Sequence, residues 1–145
     1  MIEIPLVTEN VLDSNLVRSL IRTDESGAVI VFEGVVRNHH EGHSVVRLEY
    51  EAYVEMATTQ ILHVCDEILS TFCDREVYEV MIQHRIGKLE IGDTSLIVAV
   101  SAAHRADAFE AALRAVDRVK ETVPVWKKEW SIDGAQWQEG IKPKP

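Results

Sequence analysis

Val77-Tyr-Glu-Val-Met-Ile-Gln-His-Arg-Ile86, Gly87-Lys-Leu-Glu-Ile-Gly-Asp93 and Thr94-Ser-Leu-Ile-Val-Ala-Val-Ser-Ala102 form the stretch whose reading decides the fold. The outer two segments are rich in β-branched residues and read as strands. The two glycines and the aspartate between them are turn chemistry. From about Asp107 to Thr122 the apolar period lengthens to that of a helix, and Pro124 ends it, because the residue before a proline is pushed out of the α region. Val125 to Ser131 then continues as a strand, with a short further strand around Trp137.

Upstream, Gly27 opens Ala28-Val-Ile-Val-Phe-Glu-Gly-Val-Val36, a β-branched run that predicts a first central strand buried on both faces. Before it, Leu16, Val17, Leu20 and Ile21 keep helical spacing from Asp13 to Arg22, behind Asp13 or Ser14 as N-cap. After it, a loop from Arg37 to Ser44 leads into Val45 to Tyr53, which alternates as a half-solvated strand does. From Val54 to Phe72, residues Ala57, Ile61, Val64, Cys65, Ile68, Leu69 and Phe72 mark an amphipathic helix. Two helices separated by pairs of strands imply an α+β fold with a mixed, largely antiparallel sheet under two main covering helices. The expected organisation is one domain over 1–139 and a Pro/Lys-rich tail over 140–145.

Composition narrows the function classes. The 145 residues are 46% hydrophobic and 27% charged, which suits a packed water-soluble domain. A formal charge of -9 disfavours non-specific binding to nucleic acid or anionic membranes, because that affinity comes from Lys and Arg neutralising phosphates. The start, Met1-Ile-Glu-Ile-Pro-Leu6, lacks the positive charge and apolar run of a signal peptide, so a cytoplasmic location is expected. No apolar stretch approaches the roughly 20 residues that span a bilayer. Cys65 and Cys73, without a CxxC pair, read as reduced, packed thiols.

Phosphate-binding Walker loops, GxGxxG, GxSxG and HExxH are absent from the sequence, which leaves lysine, arginine and histidine to carry chemistry. The helix from Asp107 is expected to bury Phe109, Ala112, Leu113, Val116 and Val119, with Arg114, Arg118 and Glu121 opposite. Lys120 falls on the border of that stripe. It is either a part-buried amine suited to base or nucleophile chemistry, or a snorkelling lysine favoured by the helix dipole. Lys127 shares the face of Val125 on a strand turned back by proline, so the two lysines can converge; Lys128 beside them shows that such residues are also plain surface charge. His104-Arg105, where small residues end a strand and a helix begins, suits a phosphate or carboxylate, or is a surface pair. Arg37-Asn38 at a strand end is open to the same two readings. His39, His40 and His43 invite a metal reading, though without a cysteine or well-spaced second pair. Two rivals to an enzyme are thus an anion-sensing oligomer using these basic residues and a metal-binding module on the histidine loop.

Taken together, Gly27 through Asn38, His84-Arg-Ile-Gly-Lys-Leu-Glu-Ile-Gly-Asp93, Ser101-Ala-Ala-His-Arg105 and Lys120 through Glu129 resemble the molybdopterin synthase large-subunit family. The resemblance spans about residues 25 to 138, with four blocks in order. It implies a hammerhead-like α/β arrangement and conversion of cyclic pyranopterin monophosphate to molybdopterin by installing two dithiolene sulfurs. The sulfur is implied to arrive as the C-terminal thiocarboxylate of a separate, small ubiquitin-like carrier whose Gly-Gly tail threads into this subunit. Lys120 and Lys127 match the family's catalytic lysines, and Arg37, His104, Arg105 and the aromatic Phe32 match its substrate pocket. The family also takes a basic residue near the chain end from a partner large subunit. Ile141 stands at that position here, and the neighbouring Lys142, or Lys144, is the substitute. A homodimer of large subunits within a heterotetramer is implied, with no metal or organic cofactor.

Overall fold

The computed structural model describes residues 4–40, 42–131 and 134–137, the side chains of 40, 43 and 134–137 excepted. In chain order the elements are β1 (Val7–Thr8), α1 (Ser14–Ile21), β2 (Ala28–Val35), β3 (His39–His40), β4 (His43–Ser44), β5 (Arg47–Ala52), α2 (Val54–Thr71), β6 (Val77–Arg85), β7 (Gly87–Glu90), β8 (Thr94–Ala102), α3 (Arg105–Thr122), β9 (Val125–Ser131) and β10 (Gly134–Trp137). One mixed sheet runs β1-β6-β8-β2, with only β1 and β6 parallel, and a second, antiparallel sheet runs β10-β9-β5-β7. The α+β reading holds.

Strand β8 is the centre of the first sheet because its residues are apolar on both faces. Leu96, Val98, Val100 and Ala102 pack into the larger core under α2 and α3. Ile97 and Ala99 face the other way, onto Val17 and Ile21 of α1. That helix starts at Asp13, whose carboxylate accepts from the backbone N–H groups of Asn15 and Leu16 at 3.0 and 3.2 Å, satisfying donors that no helical carbonyl can reach.

Three sequence expectations give way. The run Ala28–Val36 is not a central strand: among the described residues β2 pairs only with β8, its residues are half-buried to exposed, and Val35 is 53% exposed. A continuous β-branched run cannot by itself tell a doubly covered strand from an edge strand. Second, Gly87–Asp93 is not all turn. Gly87–Glu90 pairs with β5, and the turn is confined to Glu90–Asp93, closed by Asp93 N–H donating to the Glu90 carbonyl at 3.0 Å, with Gly92 at φ 91°. One chain thereby passes from the first sheet to the second between β6 and β7. Gly87 makes that corner at φ 89°, a conformation glycine adopts without a Cβ penalty.

Third, α3 buries a different stripe. Ala108, Ala111, Ala112, Ala115, Val116 and Val119 face the core, while Phe109 and Leu113 are 61% and 64% exposed. The alanines let α3 approach the sheet and α2 closely, and that proximity rotates the larger side chains outward. Arg118, expected opposite the core, bridges to Glu67 of α2 at 2.8 Å and to Glu121 at 2.7 Å. Both cysteines are free, as expected, but only Cys65 is partly buried and Cys73 is exposed. The tail over 140–145 lies outside the described residues. Among the described residues no helix is long and apolar enough to cross a membrane.

Candidate functional site

The two sheets and the C-terminal turn of α3 enclose a cavity of about 300 Å³. Each wall follows from a local rule. From α3 come Val119 and Lys120, and Pro124 then ends the helix so that β9 can return with Val125 and Lys127 facing inward. Trp126, one residue out of phase, lines a separate groove on the other face with Tyr53, an edge-to-face pair with centroids 5.8 Å apart. Phe32 and Gly34 come from β2, Ser95 and Leu96 from β8, Tyr50 from β5 and His84 from β6.

Lys120, Lys127 and Phe32 therefore line one cavity, the lysines being the pair whose spacing allowed convergence and Phe32 the aromatic that only the family resemblance implied. Lys120 is exposed at the rim and has no ion-pair or hydrogen-bond partner among the described residues. Lys127 is more covered, and its Nζ lies 3.8 Å from Oε1 of Glu129, a carboxylate buried on the same face two residues along. Tyr50 sits directly across the strand pair from Lys127. The cavity thus combines two cationic heads with apolar walls, a combination that holds an anionic group and keeps amines near it.

The other basic candidates do not line this cavity. Arg37 is exposed just beyond β2. His104 is the N-cap residue of α3 and Arg105 its first residue, both exposed, with His104 Nδ1 3.9 Å from Glu76 Oε2. Lys120 lies fifteen positions after Arg105 on this helix, about 22 Å along the axis at 1.5 Å per residue. The corner holding His104 is firmly built: Glu76 has φ 53°, its carbonyl accepts from Ala103 N–H at 3.0 Å, and Arg75 pairs with Asp107 at 2.7 Å and with Glu110. Lys142 lies outside the described residues. His39 forms a short hairpin with His40 and His43, and its Nδ1 is 3.0 Å from Asn38 Oδ1. The side chains of His40 and His43 are outside those described, and among the described residues no cluster of three metal-ligating side chains occurs.

Sequence reasoning passed over His84, Tyr50 and Ser95. The signal was present in the alternation: Val80, Ile82 and His84 fall on one face of β6, so the histidine occupies a core-facing position. Burial pushes its imidazole down to about 4, with the Arg85 carbonyl opposing that shift and the Lys120 charge adding to it. Nδ1 lies 2.8 Å from the Arg85 carbonyl oxygen, so in the neutral ring Nδ1 carries the proton and Nε2 the lone pair. Tyr50 meets the His84 ring edge-on at 5.1 Å. Burial raises the Tyr50 phenol, with Ser95 in hydrogen-bonding reach acting against it and the Glu129 charge acting with it. Ser95 Oγ in turn donates to the Gly34 carbonyl at 3.1 Å.

Similarity to known proteins converges on one family. Residues 7–122 match the family model described as MoaE protein. A molybdopterin synthase catalytic subunit from Dictyostelium discoideum is 40% identical over 134 residues, which is 91% of this chain and 84% of that protein. A crystal structure of molybdopterin synthase from Staphylococcus aureus superposes with a TM-score of 0.86 at 38% identity, covering 92% of this chain and 95% of the other. A complex of subunits 1 and 2 of molybdopterin-converting factor from Helicobacter pylori contains a chain of the same fold, with a TM-score of 0.73, 18% identity and 94% and 90% coverage.

Proposed function

The chain belongs to the MoaE family, the catalytic subunits of molybdopterin synthase that serve molybdenum cofactor biosynthesis, and from that premise we propose the chemistry of its cavity. Sulfur arrives as the C-terminal thiocarboxylate of a small ubiquitin-like carrier, supplied as a separate chain. The substrate is cyclic pyranopterin monophosphate, and two transfers build the dithiolene of molybdopterin in the cytoplasm. The observation that carries this reading is the convergence of Lys120 and Lys127, from two different elements, on one apolar-walled cavity with Phe32. Lys120, at the rim and without a carboxylate partner among the described residues, is the catalytic amine, acting as acid and base or as a transient acyl acceptor. Lys127, beside Glu129, assists by holding positive charge where the intermediate becomes anionic.

Arg37, His104 and Arg105 bind the substrate phosphate. Because Arg105 stands about 22 Å along α3 from Lys120, His104 and Arg105 serve the cavity of a second copy, within a homodimer that carries two carriers as a heterotetramer. The exposed pair Phe109 and Leu113 on the same helix supplies apolar surface of the kind a second chain covers. Lys142 completes the set near the chain end. No metal or organic cofactor takes part in these steps.

The test mixes the protein with thiocarboxylated carrier and cyclic pyranopterin monophosphate and measures dithiolene product. Product from the native chain, lost in Lys120→Ala while carrier binding persists, is the expected result. Carrier binding without any product from the native chain overturns the reading and favours an anion-binding subunit without turnover.

A further inference from the structure

The two cavity lysines are held differently. Lys127 has a carboxylate, Glu129, 3.8 Å away. Lys120 has no such partner among the described residues, and its long side chain at the rim is free to change rotamer. On the wall of the same cavity is His84, buried but reaching the cavity and tethered through Nδ1 to the Arg85 carbonyl. The edge contact with Tyr50 fixes the ring plane, and Tyr50 is itself placed by its strand pairing with β9 and β7. With Nδ1 protonated, Nε2 presents a lone pair, and Nε2 has no hydrogen-bond partner among the described residues and is not sealed from the cavity.

Around this imidazole, Lys120 from α3, Lys127 from β9 and Tyr50 from β5 line the same cavity, with Glu129 of β9 beside Lys127. Burial and the Lys120 charge both disfavour a charged ring. A neutral acceptor is therefore the stable state of His84 at the pH where the enzyme works, and an ammonium is the natural donor to it.

We propose that His84 is a positioning residue for Lys120: its fixed Nε2 accepts a hydrogen bond from the Lys120 amine when that side chain swings into the cavity, and so aims the amine at the reacting carbon. This rests on the function proposed above. The division of labour follows from charge. Lys127 stands beside a carboxylate, whereas a neutral imidazole orients Lys120 through a hydrogen bond without an ion pair to hold it.

Two kinds of measurement separate this from a merely structural role. In turnover with carrier and pterin, His84→Leu is expected to lower kcat about tenfold or more with the KM for carrier little changed. His84→Gln, which keeps an acceptor at similar reach, is expected to recover most of that loss. Equal losses in both variants, tracking their melting temperatures, or native kcat in His84→Leu, would overturn the proposal. Independently of turnover, ¹⁵N NMR of the His84 ring in the full-length protein bound to thiocarboxylated carrier should show Nε2 as an unprotonated, hydrogen-bonded acceptor, and Lys120→Ala should move it to the non-bonded value. An identical Nε2 signal in the two proteins would also overturn it. A native chain that binds carrier but makes no product would instead reject the reaction, leaving the NMR result to decide the His84–Lys120 contact.

Discussion

His84 is costly to protonate where it sits. Burial holds its folded-state value near 4, while an unfolded histidine titrates near 6.5, so between those limits the unfolded chain binds more protons than the folded one. Stability therefore falls as pH drops through that window and is unaffected by this group above it. The loss should approach about 3 kcal/mol near pH 4. Urea unfolding at pH 7 and pH 5 is expected to show a steeper acid loss for the native chain than for His84→Gln; parallel losses would mean that the ring is not buried neutral. Gly27 gives a second residue-scale expectation. A Cβ there would clash with the Ala103 carbonyl oxygen, a backbone atom that cannot step aside, next to the Gly27 N–H bond to Ala102 O at 3.0 Å. Gly27→Ala should cost about 1–3 kcal/mol, read as a lowered Tm. The same corner presents His104 and Arg105, so the substitution tests whether that terminus is rigidly built.

At the scale of elements, α3 shows why some of the molecule was legible and some was not. Its existence and its end at Pro124 follow from period and proline, and so does the meeting of Lys120 with Lys127, because both depend on local geometry. Its buried stripe does not. Alanine carries too little apolar surface to outvote Phe109 and Leu113 in a pattern, yet it is the alanines that fit beneath α2. Ala111→Leu should therefore destabilise the chain by about 1–3 kcal/mol through overpacking, measurable by chemical denaturation. Asp13→Ala should cost about 1 kcal/mol by removing the acceptor for two N–H groups of α1. The role of β2 was misread for a related reason: strand order is a long-range property, and the run Ala28–Val35 carries no local mark of standing at an edge. The crossing from β6 to β7 was likewise hidden, because Gly87 reads as a turn whether the chain reverses or changes sheet.

For the whole molecule, the cavity exists because one chain builds two sheets and joins them at Gly87 and Pro124. Lys120 enters from the helix that covers the first sheet, Lys127 from the second sheet, and His84 from the first, so none of the three is close to the others in sequence except through the proline turn. The sequence blocks announced the lysines, but the histidine needed the strand face and the cavity to be seen. The basic residues at the far end of α3 stand about 22 Å along that helix from Lys120, so the substrate-binding role proposed for them requires a second copy of the chain. The most direct test of the central claim is a single-turnover comparison of native, Lys120→Ala, Lys127→Ala and the double variant at saturating thiocarboxylated carrier. If the two lysines form one catalytic unit, each single variant loses about 10²–10⁴-fold in the rate of dithiolene formation and the double loses little more than the worse single. Singles that fold, bind carrier and turn over at the native rate would contradict the assignment of this cavity as the active site.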